Sequence, residues 1–216
     1  MALKGLQLGC MRGGRMLFSG IDVEVGAGEA LRVDGGNGSG KTSLLRLLCG
    51  LSAPTLGTVQ WRGQDLRSVR EEFHRELLYI GHANALKDEL TAADNLLLGA
   101  RLAGRRADRA DAEAALDRIG LLRQARLPVG RLSQGQRRRV ALARLHLPEV
   151  PRLLVLDEPF TALDSVAVQR LEAVLSQHVS TGGSLVYTTH QPATLRGGRL
   201  QTLCLRNRHD GHALPC

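Results

Sequence analysis

The chain has 216 residues, 43% of them apolar and only 3% aromatic, which suits one domain with a core of leucine, valine and alanine. No apolar run reaches the roughly 20 residues of a membrane-spanning helix. Lys4, Arg12 and Arg15 interrupt the first 20 residues, so a secretory signal is not expected and the protein is expected in the cytoplasm.

The net charge of +8 rests almost wholly on arginine. It is dispersed, with no aromatic residues interleaved as a base-stacking platform, which argues against nucleic acid. A solvated arginine surface and a position beside anionic lipid both remain open. Cys10, Cys49, Cys204 and Cys216 show no C-x-x-C spacing, so reduced thiols are expected, with Cys49 packed behind the loop described next.

Residues 3–8, 21–25 and 30–33 read as short strands separated by glycine turns. The third runs into Gly35, Gly36, Asn37, Gly38, Ser39, Gly40, Lys41 and Thr42, the pattern G-x-x-x-x-G-K-[ST]. Residues 41–51 follow as a helix with leucines on its buried side. Residues 57–62 and 77–80 read as strands. From about 84 to 146 the pattern turns helical: one helix from Ala92 capped by Thr91, one over 108–119 ended by Gly120, and one over 136–147 ended by Pro148. The sheet resumes at 153–156, apolar at every position as in a strand buried on both faces. A helix over 165–178, a Gly182-Gly183 turn and a strand over 184–189 complete the series. Asp34, Asp157 and His190 then fall at carboxyl ends of strands, where open α/β sheets gather ligands.

The chemistry is that of a nucleoside triphosphate. The glycines let backbone approach phosphate, and the amides of residues 38–43, through Ser43, can point at it beside the positive end of a helix. Lys41 supplies a charge to the β- and γ-phosphates, and Thr42 a hydroxyl to Mg²⁺. Asp157 is placed to hold Mg²⁺, and Glu158 to orient the attacking water. Ser133, Gln134, Gly135 and Gln136 open a second helix N-terminus, a second anion site in a chain that already has one. Two copies sharing ATP are therefore expected, each offering Ser133 and Gly135 to the nucleotide held by the other.

With these segments in this order the chain resembles an ATP-binding subunit of an ABC transporter. The resemblance implies an α/β fold. A P-loop NTPase core of the RecA-like kind (1–83 and 147–216) carries an N-terminal antiparallel β subdomain and an inserted α-helical subdomain (84–146). It implies ATP and Mg²⁺ as cofactors. It also makes Leu132–Gln136 the signature, Asp164 part of the loop that touches the opposite subunit, and His190 the switch histidine at the γ-phosphate. The segments 79–82, 87–91, 159–164 and 187–192 are similar to the ATP-binding subunit of the haem exporter of cytochrome c biogenesis. That narrower likeness implies a homodimer beneath integral-membrane permease subunits, peripheral at the cytoplasmic face of the bacterial inner membrane.

Two departures stand out. No glutamine follows strand 77–80 where relatives carry one; counting back from Asp94 places His82 there, either a contact to metal-bound water or packing. Arg12 stands where many relatives stack an aromatic on adenine; a guanidinium can stack on a base or meet phosphate or solvent. Other readings are an ABC ATPase moving a different cargo, and a soluble one acting on nucleic acid. The single phosphate loop and short insertion speak against the latter.

Overall fold

The computed structural model describes residues 2–191 and 194–205, so Cys216 and Pro192 lie outside the described residues. Strands β1 (Ala2–Arg12) and β2 (Arg15–Gly26) form an antiparallel hairpin. Both run longer than the sequence suggests, because register shifts between Gly5 and Met11 absorb the irregular stretch and let pairing continue. After β3 (Glu29–Gly35) and α1 (Lys41–Leu48), strand β4 (Leu56–Trp61) pairs with β1 and short β5 (Gln64–Asp65) with β4. The antiparallel sheet has the order β2-β1-β4-β5.

Helix α1 stops three residues before its expected end. Gly50, at φ 65°, donates to Leu47 O and Leu51 donates to Arg46 O, the paired bonds of a Schellman cap.

The second sheet is parallel. Its remaining strands are β6 (Leu77–Ile80), β7 (Leu153–Leu156), β8 (Ser184–Thr188) and β9 (Arg199–Leu205), and the order is β6-β7-β8-β3-β9. Strand β9 and the six-residue helix α2 (Arg70–Arg75) were not expected. The former is an edge strand that is mostly half-buried, and the latter is charged at most positions and buries only Phe73. All four β7 residues are buried: Leu153 and Val155 join the cluster around α1, Leu154 and Leu156 the one on the opposite face. That second face is covered by α6 (Ser165–Ser180) through Leu171, Leu175 and Val179.

Between β6 and β7 lie α3 (Ala92–Leu102), α4 (Arg109–Arg118) and α5 (Gln134–Leu142), packed on their own alanine-rich cluster. Helix α5 starts two residues earlier than expected. Ser133 caps it in a reciprocal box with Gln136, and its last turn tightens to a 3₁₀ turn over Ala143–His146. Leu147 is extended ahead of Pro148, as proline requires of its predecessor. Among the described residues no helix is long and apolar enough to cross a membrane. Cys10 and Cys49 are free and buried.

Asn95, 3% exposed, pins the segment leading into α3. Its Oδ1 accepts from Lys87 N, and its Nδ2 donates to the carbonyls of Lys87, Leu90 and Thr91. Asn95→Ala leaves these groups without their partner and should cost about 1–3 kcal/mol, read as a lower urea midpoint.

Candidate functional site

The parallel register decides which residues meet. Leu156 pairs with Ile80 on one side and Tyr187 on the other, and Thr188 pairs with Val33. The chain leaves the carboxyl ends of β3, β6, β7 and β8 along one edge. There a cleft of about 640 Å³ is lined by Asn37 to Ser43, Leu17, His82, Asp157, Glu158, Thr161, His190 and Gln191.

The phosphate loop forms one wall. Gly40 takes φ 98°, and a Cβ there would come within 2.9 Å of the Phe18 ring, so only glycine fits the entry to α1. It leaves the first turn of α1 without a side-chain cap, and free amides at a helix start favour an anion. The Lys41 ammonium is drawn into the loop by Gly35 O at 2.7 Å and Gly36 O at 3.1 Å.

Opposite stand the carboxylates. Thr42 Oγ1 donates to Asp157 Oδ2 at 2.7 Å, and Thr188 Oγ1 donates to Asp157 Oδ1 at 2.8 Å. Asp157 is buried, and its charge is felt behind the site. Burial first, then this carboxylate, pushes the Cys49 thiol far up and Tyr79 up to about 12, so both stay neutral. Glu158 follows in the left-handed region at φ 50°, costly for a residue with a Cβ and common at functional turns. Its amide donates to Thr188 Oγ1 at 2.8 Å, and its Oε2 accepts from His190 N at 3.2 Å. Its Oε1 is buried, accepts no hydrogen bond, and lies 3.4 Å from His190 Nε2.

The Thr42 hydroxyl and the Asp157 carboxylate are hard oxygen donors 2.7 Å apart. Among the described residues no group of three His, Cys, Asp or Glu could cage a metal alone. One carboxylate and one hydroxyl suit a small divalent cation that shares its shell with water and phosphate oxygens.

The cleft gathers most of the expected residues but not all. Asp34 takes the Arg32 guanidinium at 2.8 Å and does not line it. Arg12 is exposed, donates to Ser52 Oγ at 3.1 Å, and stands outside the lining. Ser133, Gln134, Gly135, Gln136 and Asp164 are also outside it. Ser133 and Gln136 close the α5 cap, Asp164 caps α6 through Ala167 N at 2.8 Å, and both Ser133 and Asp164 are exposed. The two segments abut: a Cβ on Gly135 would lie 2.9 Å from Ala162 O, and Ala162 itself takes φ 62°.

Thr188 escaped the sequence reading. A hydroxyl following the apolar Leu185, Val186 and Tyr187, two residues before His190, was the available signal.

The family model described as ABC transporter matches residues 18–161. The chain belongs to the ABC transporter family. Within it, the chain belongs with the cytochrome c biogenesis ATP-binding export proteins. It is 51% identical over 191 residues to the one from Aromatoleum aromaticum, named CcmA, covering 88% of this chain and 89% of that one. Its Escherichia coli counterpart is 45% identical over 203 residues, covering 94% and 96%. Among solved structures, a dimeric ATP-binding cassette in a post-hydrolysis state with ADP and Pi superposes with a TM-score of 0.83. Identity there is 23%, covering 99% of this chain and 98% of that one, a likeness of fold. The fold is thus that of a P-loop NTPase, and the chain is an ATP-binding, ATP-hydrolysing subunit of this transporter class.

Thr188→Val keeps the shape but removes the hydroxyl that serves both carboxylate residues. ATP hydrolysis should fall at least roughly ten-fold, since small misplacements at a reacting centre are expensive. A urea titration should show the variant still folded, and phosphate release reads the rate.

Proposed function

We propose that two copies of this chain close on two ATP molecules and drive the permease of the haem exporter of cytochrome c biogenesis. They would do so from the cytoplasmic face of the bacterial inner membrane, as peripheral subunits. The observation that carries the dimer is the separation of two half-sites. The phosphate loop, Asp157, Glu158 and His190 share one cleft, while Ser133 and Asp164 are exposed outside its lining. A second copy would complete each cleft with the first one's exposed face. The curated relatives carry the words cytochrome c biogenesis and export, which supports the cargo system.

In this reading the loop amides of residues 38–43 and Lys41 grip the β- and γ-phosphates. Lys41 exchanges its two carbonyl partners for phosphate oxygens. Thr42 and Asp157 hold Mg²⁺, with His82 at the rim of the same cleft. Mg²⁺, when bound, screens the charge on the β- and γ-phosphoryl oxygens. Glu158 orients a water through its free Oε1. The water oxygen bonds to the γ-phosphorus, the bond to the β–γ bridging oxygen breaks, and the water proton passes to the carboxylate. His190, already 3.4 Å from that carboxylate, contacts the γ-phosphate. Ser133, Gln134, Gly135 and Gln136, with Asp164, meet the ATP gripped by the other copy. Arg12 contacts adenine only after leaving Ser52. Residues 84–146 turn against the core on ATP binding and transmit the motion to the permease.

Glu158→Gln, given Mg-ATP, should elute as a dimer and release phosphate at under a hundredth of the parent rate, whereas the same variant carrying Ser133→Arg should bind a fluorescent ATP analogue yet elute as a monomer. A Ser133→Arg protein that still dimerises and hydrolyses would refute the shared site. Deletion of the gene should remove haem-stained c-type cytochromes, with rescue by the intact chain and not by Lys41→Ala. Normal cytochromes in the deletion would leave a transporter ATPase of another cargo.

A further inference from the structure

Helix α5 carries a residue that none of the roles above uses. Arg138 follows Ser133 by five positions, on the buried face, and is 5% exposed. Among the described residues no carboxylate pairs with it within salt-bridge range. Its guanidinium is spent on neutral acceptors from two other segments. One nitrogen donates to Asp157 O and Glu158 O, each at 2.7 Å. The other donates to Gly81 O at 2.9 Å and Asn84 Oδ1 at 3.1 Å, on the loop that brings His82 to the cleft. Burial lowers its affinity for the proton, the signature of a cation kept out of water at a cost. Charge-assisted bonds to four oxygens offset that cost, and a rigid guanidinium fork suits acceptors fixed in one plane.

The placement matters because of what the carbonyls belong to. Those of Asp157 and Glu158 frame the peptide and the φ 50° turn that aim the Glu158 side chain. A left-handed turn at a non-glycine residue persists only if its surroundings hold it. Thr188 holds it from the strand side, at the Glu158 amide. Arg138 holds it from the helix side.

We propose that Arg138 is a positioning residue that locks the Glu158 turn and the His82 loop to the signature helix. This rests on the reading of Glu158 as the group that activates water. The helix whose start meets the partner's ATP is thereby fastened, five residues on, to the backbone of the residue whose carboxylate acts on its own chain's ATP. Docking of Ser133 at one nucleotide then sets the alignment of Glu158 at the other.

The test is Arg138→Met and Arg138→Lys in the full chain, each measured for ATP-analogue affinity and for Mg-ATP turnover. Arg138→Met should bind nucleotide within about two-fold of the parent and lose kcat at least ten-fold. Arg138→Lys, which keeps the charge but cannot serve four acceptors, should lie between. In the Glu158→Gln background, Arg138→Met should lower the residual rate by less than two-fold, because the carboxylate it aims is gone. A folded Arg138→Met protein with kcat within two-fold of the parent overturns the proposal. So does a full additional loss in the Glu158→Gln background, or a parallel loss of nucleotide affinity, since either marks a merely structural residue. If Arg138→Met does not fold, Arg138→Lys decides by the same criteria. Unimpaired hydrolysis by Glu158→Gln alone would instead refute the base assignment, which separates the two failures.

Discussion

The site depends on the register of a five-stranded parallel sheet. Because Leu156 lies between Ile80 and Tyr187, Asp157 leaves β7 where the β6 loop and the end of β8 can reach it. The Asp157 amide donates to Ile80 O at 2.8 Å, extending the ladder to the first carboxylate residue. A slip of one residue would exchange the two faces of β7 and send Leu154 and Leu156 into the wrong apolar cluster. Packing on both faces therefore fixes the geometry of a polar edge to which it contributes no polar atom.

At that edge the charged groups are few and each is held from more than one side. Asp157 is bonded by hydroxyls from α1 and β8. Glu158 has its amide tied to Thr188, its carbonyl to Arg138 and its Oε2 to the His190 amide, while Oε1 accepts nothing. The backbone is over-determined, and one carboxylate oxygen is left without a hydrogen-bond partner. The unfavourable φ of Glu158 is carried by its neighbours, as strain at functional turns usually is.

The signature segment shows how one set of residues serves structure and function together. Ser133 and Gln136 satisfy each other as a helix cap, so the segment is ordered before any ligand arrives. An exposed, capped helix start beside the Asp164 loop suits the proposed half-site, whose complement would lie on another molecule. Arg138 ties the same helix to the backbone of Asp157 and Glu158 within its own chain.

The sequence by itself determined the local structure and the chemistry: the phosphate loop from its glycines and Lys41, β7 from an unbroken apolar run, and the α3 start from the Thr91 cap. These are legible because they depend on backbone freedom, periodicity and side-chain reach within a few residues. It did not reveal β9, whose half-buried edge gives little pattern, or the length of the β1–β2 hairpin, which depends on bulges absorbed by pairing. Nor did it reveal the bond of Thr188 to Asp157, the displacement of Arg12 toward Ser52, or the four acceptors of Arg138. Those contacts join residues 19 to 57 positions apart, and only the packed sheet and the docked helices bring them within hydrogen-bond distance.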